Sequence, residues 1–211
     1  MYLRNRARAP SAAPIIRTFR AGAQIFSEGD EITGGYRVLA GAVRSCRYLG
    51  DGRRQVLGFH LIDDIFGLEL GAKHSASAEA MVATAVVSVS TRSTAGPGEY
   101  VDLLELATKQ LQQAQDLTTD LGKKLAHERL ANFLLDVARR LQSTSFRMPM
   151  RRLDIADHLG LTIESVSRLL NGFERAGLVR IIDRKKRLEL LDLPRLCDLA
   201  DGRPTALRFD S

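Results

Sequence analysis

The chain has 211 residues, enough for one large domain or two small ones, and 45% of them are hydrophobic, so a packed core can form. No run approaches the roughly 20 consecutive apolar residues that a membrane span needs, and the basic opening "MYLRNRARAP" is followed by no apolar stretch of signal-peptide type, so a soluble cytoplasmic protein is expected. Cys46 and Cys197 lie too far apart in sequence to suggest a disulfide framework or a paired-cysteine metal site, and the net charge of +6 favours a polyanionic partner.

Residues 1–20 hold five arginines and no acid, and read as a basic arm whose Ile15-Ile16 patch leads into a first strand. From Thr18 to about Arg92 the pattern is short and β-like, punctuated by glycines. In "LGDGRR", Asp51-Gly52 suits a type I′ hairpin turn. Closely spaced strands with turn signals between them predict a sandwich or a barrel-like roll.

The texture changes after "STAGPGEY". From Glu99 to Gln142 the residues are good helix formers with almost no punctuation. Leu104, Ala107, Leu111, Ala114, Thr118, Leu121 and Leu125 recur at alternating spacings of three and four, an a/d seam over three heptads. Such a stripe either packs on the chain's own β-domain or pairs two copies as a parallel homodimer, and the second is the expectation. "HERLANFLLDVARRL" is a second helix, and "QSTSFRMPM" reads as a loop.

The stretch "DIADHLGLTIESVSRLLNGF" carries the chemistry. Leu153–Leu159 reads as a short helix, Gly160 as the left-handed residue past its end, and Thr162 as the cap of a second helix, with Ser165 three residues on. Ile163, Val166, Leu169, Leu170 and Phe173 supply part of that helix's buried stripe. Ala156 is small where two helices must cross. Ala156, Gly160 and Val166 together have the spacing of a helix-turn-helix.

In that motif the start of the second helix enters the major groove. Glu164, Ser167 and Arg168, at i, i+3 and i+4, share one face there. An arginine fork suits guanine O6 and N7, a carboxylate accepts from cytosine N4, and a serine is small enough to meet a base or the thymine methyl. The competing reading is a solvated Glu–Arg pair worth roughly 0.2–0.5 kcal/mol. With Ile163, these form the expected base-contacting set. Arg147, Arg151, Arg152, Thr162, Ser165, Asn171, Lys185 and Lys186 are candidates for phosphate contact, which positions a duplex without reading its sequence. "IIDRKKRLEL" would be a wing hairpin around a charged turn from Asp183 to Arg187, and "DGRPTALRFDS" reads as a frayed tail.

"LTIESVSRLL" resembles the E-x-x-S-R recognition helix of the FNR and FixK branch of the CRP/FNR family of bacterial transcription regulators. "LGDGRRQVLGFHL" is similar to a β-roll phrase of that family, and "FGLELGAKHSASAEA" is similar to FixK proteins. The resemblance spans about Thr18 to Leu193. It implies an α+β chain with a cyclic-nucleotide-binding-like β-roll (a jelly roll) over 18–98, a dimerisation helix over 99–126, a winged helix-turn-helix over 127–193 and a tail over 194–211. It further implies a regulator, mainly an activator, that binds a palindrome such as TTGAT-N4-ATCAA as a homodimer and touches RNA polymerase. Surface loops at Leu49–Arg54 and after Met81 are candidates for that touch.

Two cysteines cannot supply the roughly four thiolates of an iron–sulfur sensor. Glu69 matches the glutamate that holds a cyclic nucleotide in the family, but "SASAEA" has no arginine for the phosphate. No cofactor and no metal are therefore expected, and control without an effector is. The alternatives are a roll gated by an unidentified ligand or by redox chemistry at Cys197 beside Arg195, and, remotely, a cupin-like metalloenzyme using His60, His74 and Glu69.

Overall fold

The computed structural model describes residues 15–69, 71–89, 97–182 and 187–203. The expectations for residues 1–14 of the arm, for Lys185 and Lys186, and for residues 204–211 of the tail lie outside the described residues.

Eight strands build the N-terminal part: β1 (Ile16–Phe19), β2 (Gln24–Phe26), β3 (Gly35–Ala40), β4 (Val43–Tyr48), β5 (Arg54–His60), β6 (Ile65–Phe66), β7 (Ser77–Ala80) and β8 (Thr84–Val89). They form two four-stranded antiparallel sheets, in the orders β1-β8-β3-β6 and β2-β7-β4-β5. Alternation explains the packing. In β3, Tyr36 and Val38 are buried while Arg37 and Leu39 are exposed. Phe26, Tyr36 and Phe66 stack between the sheets with ring centroids 5.6 to 6.1 Å apart, walled by Val43 and Val86.

The β4–β5 hairpin does not use a type I′ turn. Gly52 N–H donates to Leu49 O at 2.9 Å, and of the turn residues only Gly52 has positive φ, at 85°. The five-residue loop is thus a type I turn closed by a left-handed glycine. One β5 residue, Leu57, is skipped where Ser45 pairs with Gly58 and Cys46 with Val56, a bulge that leaves Leu57 exposed.

Helix α1 (Pro97–Lys123) is followed by α2 (Ala126–Arg140). The long helix stops earlier than its heptads suggest. Leu125 is extended (φ −70°, ψ 161°) and its N–H donates to Glu128 Oε2 at 2.7 Å, so it caps α2 and is not the last seam residue of α1. Gly122, the poorest helix former nearby, sits at the break. The joint is tied by Asp120, which accepts from Asn132 Nδ2 at 2.6 Å and pairs with Lys124 at 2.9 Å.

The rest comprises β9 (Ser145–Arg147), α3 (Arg152–Leu159), α4 (Ile163–Arg175), β10 (Val179–Ile182), β11 (Arg187–Leu190) and α5 (Leu193–Ala200). The segment read as a loop contains β9, which adds a third strand to the wing sheet in the order β10-β11-β9. Its single buried side chain, Phe146, is too short a signal for a strand. Arg187, assigned to the charged turn, opens β11 opposite Ile182. The stretch read as the start of a tail is α5. Asp192 caps it through Arg195 N–H at 3.0 Å, and Leu196, Leu199 and Ala200 are buried, with α5 lying on α2.

Candidate nucleic-acid interface

Helix α3 ends at Gly160 (φ 62°, ψ 41°), where Leu161 N–H still reaches Ala156 O at 2.9 Å. A residue with a side chain is strained in that conformation, which is why glycine stands there. The chain then extends to Thr162, whose Oγ1 accepts from Ser165 N–H at 3.1 Å and caps α4. Removing such a cap costs about 1 kcal/mol. Ala156 is 1% exposed, and Val166, Leu169, Leu170 and Phe173 are buried. Ile163 departs from the expected stripe: it is 40% exposed and belongs to the outer end of α4.

The opposite face of α4 presents Glu164 and Arg168 exposed and Ser167 half-buried. The solvated-pair reading is not what forms. Among the described residues no ion pair joins Glu164 to Arg168, and no hydrogen bond commits either side chain or that of Ser167. A row of uncommitted donors and acceptors on a rigid, capped helix fits base-edge recognition.

Of the phosphate candidates, Thr162, Ser165 and Asn171 flank that face, and the Thr162 hydroxyl donates to Ser165 Oγ at 3.0 Å. Arg151 and Arg152 stand at the N-terminus of α3, and Arg147 ends β9. Arg147, Arg151 and Asn171 are exposed, and Arg152 is half-buried.

A second polar constellation was not foreseen. It lies where α3 meets the outer face of the β2-β7-β4-β5 sheet. Asp154 Oδ1 accepts from Arg44 Nη1 at 2.6 Å and from Arg54 Nη2 at 2.7 Å, while Oδ2 accepts Arg151 N–H at 3.0 Å. Arg54 also reaches Asp157, and Arg44 also reaches Glu79. Burial pushes the Glu79 carboxyl up, but the hydrogen bond from Tyr48 and the charges of Arg44 and Arg54 outweigh it and hold it below the usual range. His158 lies alongside, its Nδ1 3.1 Å from Val56 O and its ring edge-on to Phe59 at 5.0 Å. Burial beside Phe59 lowers the pKa of His158 and so disfavours its charged form. Arg54 therefore drops out of the exposed Leu49–Arg54 loop, in which Asp51 and Arg53 pair at 2.7 Å in solvent.

The helical stripe faces away from the roll. Leu104 and Leu111 are 66% and 60% exposed, and Ala107, Ala114 and Thr118 are exposed beside them, with Leu121 half-buried. Other α1 side chains contact the roll: Gln110 Nε2 donates to Ile65 O at 3.1 Å, and Lys109 faces Asp64 at 3.6 Å. The reading in which the stripe packs on the chain's own β-domain is thereby excluded.

In the roll, Glu69 Oε1 lies 3.0 Å from His74 Nδ1, and Oε2 accepts Ser75 N–H at 2.8 Å. His60 Nε2 lies 2.8 Å from Ser45 Oγ, and burial drives its pKa down to about 4. Of the residues offered for a cupin-like centre, Glu69 and His74 thus bond each other while His60 bonds Ser45, and among the described residues no group of three metal-ligating side chains converges.

Cys46 is wholly buried, and burial, reinforced by the charge of Glu79, pushes its thiol up to about 11. Cys197 is exposed on α5, but Arg195 is turned toward Asp192 and Ala176 O. A thiol-reactive disulfide reagent at pH 8 should therefore titrate one cysteine of the native protein rapidly and the second only after denaturation. Cys197→Ser should abolish the fast phase; two equally fast thiols in the native protein would contradict this placement.

Comparison with known proteins agrees with the geometry. Residues 16–96 match the family described as "Cyclic nucleotide-binding domain", and residues 128–199 match "Crp-like helix-turn-helix domain". The chain is 39% identical over 179 residues to the nitrogen fixation regulation protein FixK of Rhizobium meliloti (strain 1021), covering 84% of each. It is 30% identical over 177 residues to the fumarate and nitrate reduction regulatory protein of Escherichia coli (strain K12), covering 78% of this chain and 71% of that one. The solved structure of FixK2 from Bradyrhizobium japonicum superposes with a TM-score of 0.84 at 36% identity, covering 92% of this chain and 99% of that one. A roll, a long helix and a capped helix-turn-helix with an open polar face, together with these relatives, identify the chain as a DNA-binding transcription regulator of the CRP/FNR family, of the FNR/FixK type.

Proposed function

We propose that two copies pair along the α1 stripe and present their α4 helices to successive major grooves of a palindrome of the TTGAT-N4-ATCAA type. The observation that carries this reading is the pairing of an exposed heptad stripe with an uncommitted Glu164/Ser167/Arg168 face in one chain. Two-fold symmetry then spaces the recognition helices by about 34 Å, one turn of DNA. Glu164, Ser167 and Arg168, with Ile163 beside them, read the half-site. Arg147, Arg151, Arg152, Thr162, Ser165, Asn171, Lys185 and Lys186 hold the backbone.

The protein acts mainly as an activator in the cytoplasm, with the exposed Leu49–Arg53 loop touching RNA polymerase. It needs no effector. Glu69, which would have to serve a cyclic nucleotide, is already bonded to His74 and Ser75. Its targets are genes of low-oxygen metabolism, nitrogen fixation or denitrification, a reading supported by relatives named for nitrogen fixation regulation and for fumarate and nitrate reduction. A second reading, a roll gated by a small ligand, draws on one observation: a crevice of about 730 Å³ between the roll, α1 and α2, reached by His60, Phe59, Gln113 and Arg140.

Sedimentation of the protein with a fluorescent palindromic duplex tests this, with and without millimolar cyclic AMP. Two chains per duplex and an affinity unmoved by the nucleotide are expected. One chain per duplex overturns the dimer, and dependence on the nucleotide overturns effector independence.

A further inference from the structure

The DNA-binding unit shares an apolar core with the roll, where Arg140 also bonds Phe59 O and Asp64 and His158 meets Val56 O, and it is joined in two further ways. One is the covalent α1–α2 joint, which consists of only Lys124 and Leu125 between helix ends. The other is the network of Arg44, Arg54, Asp154 and Asp157, whose partners are 100 to 110 residues apart in sequence. Its groups are largely out of water: the side chains of Asp154, Arg54 and Arg44 are 2%, 13% and 14% exposed. Burying charges is a poor way merely to adhere two surfaces, because desolvation offsets most of the attraction. What it supplies is direction. Two planar guanidinium groups meeting one carboxylate tolerate little sliding, whereas an apolar patch tolerates more.

The element they grip matters. Helix α3 has eight residues and is held at both ends, by the two arginines at Asp154 and by Arg129 Nη1, from α2, at Leu159 O (2.9 Å). Helix α4 follows after three residues and shares a core with α3 through Ala156, Leu159, Val166 and Leu169. Whatever orients α3 against the roll orients the recognition helix.

We propose that Arg44 and Arg54 are positioning residues for DNA recognition: by clasping Asp154 and Asp157 they fix α4 relative to the α1 stripe and so set the operator spacing that a dimer accepts. This rests on the two-copy palindrome reading above. Each base pair added between half-sites moves one by about 3.4 Å and rotates it by about 34°. A rigid frame pays for that mismatch and a loosened one adapts to it.

The test compares the full-length protein with Arg54→Gln on duplexes whose TTGAT half-sites are separated by three, four, five or six base pairs. Each is repeated with the half-site guanine replaced. The unmodified protein should prefer one spacing by roughly 10²-fold, less than the roughly 10³–10⁷-fold that separates specific from non-specific binding. Arg54→Gln should lose most of that preference while keeping its penalty for the replaced guanine within about twofold, because Arg168 is untouched. Arg54→Lys, which keeps the charge but not the fork, should fall between. If Arg54→Gln does not fold, Asp157→Asn, which opens one side of the clasp, decides in the same way.

A folded, dimeric variant with undiminished spacing preference overturns the proposal. Loss of the guanine penalty already in the unmodified protein would instead overturn the palindrome reading. The clasp is then judged without DNA, by the distance distribution between spin labels on Cys197 and on Leu39→Cys, both exposed positions, with Cys46 buried and unlabelled. A distribution that broadens in Arg54→Gln supports the clasp, and one that stays as narrow overturns it.

Discussion

Leu111→Asp is expected to convert the protein to monomers and to weaken binding to a palindromic duplex by roughly 10²–10⁴-fold, the usual worth of linking two binding events. Leu111 is the largest residue near the middle of the stripe, and its side chain is in water in the single chain. Its replacement therefore removes nothing from the monomer's core, and the fold should melt within a degree or two of the unmodified protein. In the paired state, aspartates from both copies would face each other in a desolvated seam, where like charges are costly. The neighbours Ala107, Ala114 and Thr118 are too small to compensate. Gel filtration with light scattering reads the mass directly, and a variant that stays dimeric would show that the stripe serves something else.

Arg168→Ala is expected to cost roughly 1–3 kcal/mol in each half-site, so roughly 30-fold or more on a two-site operator. The half-site TTGAT contains a single G·C pair, and the N-terminal half of α4 offers one guanidinium fork, Arg168, for guanine and one carboxylate, Glu164, for its cytosine. The loss should therefore be confined to that pair. In the variant, changing G·C to A·T should cost almost nothing further, whereas changing a neighbouring T·A pair should cost as much as before. The fold should be unaffected, because Arg168 makes no hydrogen bond or ion pair among the described residues. Equal losses on specific and scrambled duplexes would reduce Arg168 to a phosphate contact.

The parts of the fold that were legible in the sequence are those written in local patterns. Gly160, Thr162 and the Val166 to Phe173 spacing declare a capped helix after a left-handed turn, and that turn and cap form as expected. The heptad stripe declares an apolar face, and the structure leaves it uncovered from Leu104 to Thr118. What was not legible depends on partners far along the chain. Strand β9 is three residues long and exists because Phe146 opposite Leu188 completes the wing sheet. Helix α5 is eight residues long, and its Leu196 and Leu199 have a reason to be apolar only because α2 offers them a surface. Arg54 follows a turn of exposed residues and looks exposed too, until Asp154 and Asp157 are folded against it. Leu125 continues a heptad that the backbone has already left, since periodicity records a face and not a helix end.

The most direct measurement is a titration of the purified protein, with no small molecule added, against a labelled TTGAT-N4-ATCAA duplex and a scrambled duplex at several salt concentrations. Binding to the palindrome should be tighter by roughly 10³-fold or more, and both affinities should fall steeply with salt as phosphate contacts release counterions. Equal affinity for the two duplexes, or a preference that appears only when a ligand is supplied, would contradict an effector-independent reader of this palindrome.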